Sequence, residues 1–132
     1  MRWTRGVTLC AAALIAAGCD AVEPGGPTAD PGPVLMMLAT PRDDDGAVMF
    51  SIAGGAVDSI TAIGYGLFAS QTAAHAHRVV VNGDIVDGPL ARIWVPDRRT
   101  IGDYTLSIEQ VATRVTYEQQ QPAAYVLSLS VP

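Results

Sequence analysis

The chain has 132 residues, about one domain's length, and its 8 basic residues are all arginine, set against 13 acids for a net charge of −5. An acidic, lysine-free chain has no cluster of cations for phosphate backbones or anionic lipid, which excludes nucleic acid as a partner and membrane attachment through surface charge. The only cysteines are Cys10 and Cys19, so nothing beyond residue 19 is stapled by a disulfide or built around a Cys-ligated metal.

Met1–Gly6 carries two arginines and no acid, and Val7–Ala17 is a continuous apolar run of 11 residues. A basic start, a short apolar core and small residues at its end make up an export signal, and the run falls well short of the ~20 apolar residues that span a bilayer. The residues Ile15-Ala16-Ala17-Gly18-Cys19 resemble the lipobox of bacterial lipoproteins. The resemblance implies that residues 1–18 are a helical signal peptide that is removed, and that Cys19 becomes the lipid-bearing first residue. One acyl chain holds a protein only marginally, whereas two or three anchor it stably. The lipid bilayer is then a partner through Cys19, and the protein belongs to the cell envelope, on the periplasmic or cell-surface face. The processed chain keeps all 13 acids but only 6 arginines, a net charge of −7.

Asp20–Pro33 contains four prolines, three glycines and almost no large apolar residue, so residues 19–33 read as a lipidated cysteine and a disordered tether. The texture changes at Val34. Val34–Thr40 is a short apolar run, and Asp43-Asp44-Asp45-Gly46 reads as a hairpin turn. Ala47–Ala53 places Val48, Phe50 and Ile52 on one face before Gly54-Gly55. Val57–Ile63 and Leu67–Ser70 follow on either side of Gly64-Tyr65-Gly66, and Gln71–Ala76 is weakly helical. His77–Asn82 is valine-rich and stops at Asn82-Gly83-Asp84, and Leu90–Val95 is bounded by prolines. Tyr104–Val111 and Tyr125–Val131 alternate apolar and polar residues strictly, as half-buried antiparallel strands do.

Seven to nine short strands without a long helical pattern predict an all-β, antiparallel β-sandwich over residues 34–132. Its expected core is Val48, Phe50, Ile52, Ile93, Leu106, Ile108, Leu127 and Leu129. The segments Asp45–Ile52, Val57–Leu67 and Gly88-Pro89-Leu90-Ala91-Arg92-Ile93-Trp94-Val95 resemble, in order, the strands of cohesin and carbohydrate-binding-module sandwiches. The resemblance implies an Ig-like or cohesin-like sandwich and a binding role.

His75 and His77, two apart in an extended chain, would share a face and could hold Zn or Cu, but a third ligand is missing and a solvated strand start is the plainer reading. Asp43–Asp45, with Asp84 and Asp87, could supply oxygens to Ca²⁺, yet adjacent side chains diverge and acid-rich turns are common without an ion. Trp94 is expected to be core or half-core; exposed beside Tyr65 or Tyr117, it would form a sugar-stacking platform. No serine sits in a GxSxG elbow, and no glycine loop cradles phosphate. The expected function is therefore a membrane-anchored, non-catalytic binding or adhesion module that needs no cofactor, its ligand a carbohydrate or an envelope protein. The alternatives are a structural or accessory subunit of an envelope complex and, behind that, a metal-binding protein through His75 and His77.

Overall fold

Every second residue of the longest apolar strands points into one core, and that parity organises the molecule. A computed structural model describes residues 28–132, so the expected export signal, Cys19 and the expected tether as far as Pro27 lie outside the described residues. The strands are β1 (Gly32–Ala39), β2 (Asp45–Ala53), β3 (Ser59–Ala62), β4 (Gly66–Ala73), β5 (Ala76–Ile85), β6 (Gly88–Val95), β7 (Thr105–Thr113), β8 (Gln119–Gln120) and β9 (Val126–Ser130), with short 3-10 segments at Arg98–Asp103 and Pro122–Ala124. They form two antiparallel sheets, ordered β3-β6-β1-β9 and β4-β5-β2-β7-β8. Both sheets feed one apolar cluster, an all-β arrangement consistent with a β-sandwich.

The inward rows are Val34, Met36 and Leu38 from β1, Val48, Phe50 and Ile52 from β2, Val79 and Val81 from β5, and Ile93 and Val95 from β6. Burying each such side chain contributes about 1.5–3 kcal/mol, and these central strands provide most of the fully buried area. Val48, Phe50, Ile52 and Ile93 are core as expected. Leu106, Ile108, Leu127 and Leu129 are only partly buried, packed against the core rather than within it. The reason is position: β9 is an edge strand, and β8 pairs only with Val111 and Ala112, which leaves the first half of β7 at the margin of its sheet.

Three local expectations are corrected. Asp43–Gly46 is not a hairpin turn, because β1 and β2 belong to different sheets and Asp45-Gly46 already lies in β2. Gly46 is required there by close approach: a Cβ on it would meet Arg114 Cα at 2.5 Å. Gln71–Ala76 is not helical; Gln71 pairs with His77 and Ala73 with Ala76, so cross-strand bonding overrides weak local propensity. Asn82-Gly83-Asp84 does not end β5, which runs on to Ile85 by absorbing a register shift opposite Asp45–Ala47.

Order also begins before Val34. β1 starts at Gly32, and Asp30 is held by a two-pronged bond from the Arg98 guanidinium at 2.9 and 3.0 Å. Asp97 accepts the Asp30 N–H at 3.3 Å and caps the following 3-10 segment, with Arg99 beside it. The Arg99 guanidinium holds the Asp97 carboxyl far below the usual carboxylate range. Among the described residues no helix is long and apolar enough to cross a membrane.

Candidate functional site

Because Val34, Met36 and Leu38 point inward, their neighbours Pro33, Leu35 and Met37 must point outward, and Ile93 and Val95 likewise turn Arg92 and Trp94 to the outer face. Register then assembles a patch on the four-stranded sheet. Trp94 stands between Pro33 of β1 and Ser59 of β3, and Arg92 stands between Leu35 and Thr61. Ser130 and Ser128 of β9 extend the rows from Leu35 and Met37. The result is an apolar strip of Trp, Pro, Leu and Met with a hydroxyl margin and one guanidinium near its middle.

Trp94 is 44% exposed, on the outer face rather than in the core or half-core expected of it. Strand parity decides this: Ile93 and Val95 take the two inward positions, and Trp94 falls between them. Arg92 is set apart by its lack of an ion-pair partner among the described residues. Arg42, Arg78, Arg98, Arg99 and Arg114 each pair with a carboxylate, whereas Arg92 makes no ion pair among the described residues. The outer face of the other sheet also exposes an aromatic ring, Phe68, but its arginine, Arg78, is already paired with Glu109 at 2.8 Å. An unpaired guanidinium beside an exposed indole is the combination enriched at the energetic centres of protein interfaces.

The other two candidate aromatics lie elsewhere. Tyr65, between β3 and β4, packs its ring against Gly83 of the five-stranded sheet and against the core. Tyr117 is exposed in the β7–β8 turn with φ 57°. Trp94 therefore has neither ring as a stacking companion.

His75 and His77 do not share a face. His75 occupies the turn between β4 and β5 with φ 56°, and this left-handed residue breaks the extended geometry on which the pair depends. His77 lies in β5 opposite Ile52 and Gln71, half-buried, its Nδ1 buried without a hydrogen-bond partner among the described residues. Among the described residues no group of three or more His, Cys, Asp or Glu side chains converges on a point where an ion could sit.

The acidic turn is engaged in holding the two sheets together. Asp45 is fully buried; its carboxylate accepts the Tyr125 hydroxyl at 2.9 Å and the Thr40 hydroxyl at 2.5 Å, joining β2 to the chain leaving β1 and entering β9. Burial, and then the bond to Asp45, push the Tyr125 phenol up to about 12. Asp44 takes both prongs of Arg42 at 2.7 Å, which lowers its pKa, and Asp87 accepts the Thr40 N–H at 2.6 Å. Asp84 pairs with Arg114 at 3.1 Å, and Asp43 is exposed at the surface. These oxygens are directed at protein donors rather than at a common centre.

Arg92 was not singled out from the sequence, although its signal was there. In Leu90–Val95 the residues flanking Ile93 had to face outward once Ile93 was assigned to the core. Comparison with family models, with curated proteins and with solved structures finds no match to this chain.

Proposed function

We propose that this chain is a lipid-anchored bacterial lipoprotein carrying one non-catalytic binding module, and that the module recognises a protein of the cell envelope through the outer face of the four-stranded sheet. The observation that carries this reading is Arg92, a guanidinium with no ion pair among the described residues, placed beside a 44% exposed Trp94 on an apolar strip. In a chain whose other described arginines are all paired internally, such a group favours a carboxylate-bearing partner. A protein partner is favoured over a sugar because Tyr65 and Tyr117, which would complete a stacking platform, stand elsewhere. The two-sheet fold is compatible with the cohesin-like, Ig-like type, in which strands present a binding surface. Anchoring rests on the lipobox residues ending at Cys19, with an envelope location following from it.

Two measurements test this. Cys19→Ala should give an unprocessed or soluble form that no longer stays with membranes after carbonate washing; retention would remove the anchor. Trp94 is the only tryptophan beyond Trp3, so in the chain from Asp20 onward its emission reports directly on the proposed face. Envelope proteins captured by that chain should shift Trp94 emission and be lost with Arg92→Ala. A captured set indifferent to Arg92→Ala and Trp94→Ala would refute the assignment of the face. The alternative, an accessory subunit that assembles through a sheet edge, is favoured by one observation, the uncovered margin along β7 and β9.

A further inference from the structure

The margin between the two sheets is open on one side. Between β7 and β9 runs an open cleft of about 350 Å³ in which the side chains of Leu106, Ile108, Tyr125 and Leu127 are interspersed with Ser107, and whose accessible surface is mainly polar. Leu127 and Leu129 point inward from β9 yet stay half-buried, because among the described residues no strand of the same sheet lies beyond them. Val126 on the outer side is 60% exposed, and Val131, next in the inward row, is 44% exposed.

Edge strands are normally guarded by charge, proline, a bulge or brevity. β3 has only four residues and β8 only two. β4 carries a register shift between Gln71 and Ala73, and beyond Leu67 its inward side chains are the small or polar Ala69 and Gln71. β9, five residues long, has no charge, proline or bulge. Its pairing with β1 is regular, and no Asp, Glu, Lys or Arg occurs from Gln119 to Pro132 in a chain that is otherwise strongly acidic.

The same edge is self-complementary. Antiparallel neighbours directly opposite each other face the same way, so a two-fold axis at Ser128 sets Ser128 against Ser128 of a second copy, Val126 against Ser130, and Leu127 against Leu129. Extended by one step, Val131 meets Tyr125. Every inward apolar residue of β9 then meets an inward apolar residue, the exposed Val131 included, and no like charges are brought together. We infer that β9 pairs with β9 of a second copy of this chain, joining the two four-stranded sheets into one of eight strands and covering both clefts. This closed, isologous contact is the form that most homodimers take. It leaves the Arg92–Trp94 face of each copy on the same side of the joined sheet.

The test uses the chain from Asp20 onward, which keeps every described strand and core residue and has no native cysteine. Sedimentation velocity should show a reversible monomer–dimer equilibrium with Kd in the range of roughly 1–100 µM, as suits a small interface. Ser128 is exposed and faces outward, so Ser128→Lys should fold normally while opposing two ammonium groups at the axis and raising Kd at least about tenfold. Ser128→Cys should give covalent dimers with a short bis-maleimide, and Ser70→Cys on β4 should not. A monomer at about 0.5 mM, even one that accepts a foreign strand along β9, overturns the inference. So does a dimer indifferent to Ser128→Lys, or one that cross-links through Ser70.

Discussion

Phe50 and Leu129 are both large, apolar and placed on the inward parity of a strand, yet they occupy different physical environments. Phe50 lies on β2, flanked by β5 and β7 and roofed by the opposite sheet, and is fully buried. Leu129 lies on β9 with β1 on one side only, and is half-buried. Alternation assigns a side chain to a face; the number of neighbouring strands sets how much water that face loses. The central strands of this molecule hold the fold together, and its β7–β9 margin leaves apolar side chains partly exposed.

The largest effect should come from the centre. Phe50→Ala should cost about 3–5 kcal/mol by denaturant titration, since the cavity it leaves is enclosed on every side. A loss under 1 kcal/mol would remove the distinction between centre and margin.

Next is the bolt between the sheets. Tyr125 is raised to about 12 in the folded chain against ~10 when unfolded, so its contribution is fully present below pH 10 and is lost as pH rises through 12. Stability should therefore fall by about 2–3 kcal/mol across that window. Tyr125→Phe should remove this step and cost about 1–3 kcal/mol at neutral pH, because Asp45 stays buried with one donor fewer. An unchanged alkaline transition in Tyr125→Phe would show that another group causes it.

At the margin the expected loss is smaller. Leu129→Ala should cost about 1–2 kcal/mol at concentrations where the chain is monomeric, below the usual range for enclosed leucines. A cost equal to that of Phe50→Ala would mean that the β9 side is closed already. Smallest of all, Arg92→Ala should change stability by less than about 0.5 kcal/mol, since the side chain is exposed and makes no ion pair among the described residues. A larger loss would place Arg92 in the fold instead of at the proposed binding face.

Much of this architecture was legible before any coordinates. The alternation in Val48–Ile52 and Tyr125–Val131 marked strands and their inward residues, because side-chain direction along a regular strand follows parity. In Tyr104–Val111 a register shift at Glu109 breaks the expected alternation, so that Val111 rather than Gln110 follows Ile108 on the inward side. Turn chemistry was less reliable. Asp45-Gly46 resembles a hairpin turn locally, but the partner that decides its conformation is Arg114, 68 residues away in sequence. The shared face considered for the histidine pair depends on the backbone in the same way. Spacing by two implies a shared face only in extended backbone, and His75 takes a left-handed turn conformation imposed by the β4–β5 hairpin.

The sequence by itself determined the composition, the strand parity and the absence of charge over Gln119–Pro132, all of which follow from local covalent order. Only the tertiary structure decided that Asp45 is buried against Tyr125, that Arg92 has no carboxylate among the described residues, and that β9 stands at an edge. Each of those depends on which distant strands become neighbours, and strand order in a sheet is not encoded by the period of any one strand.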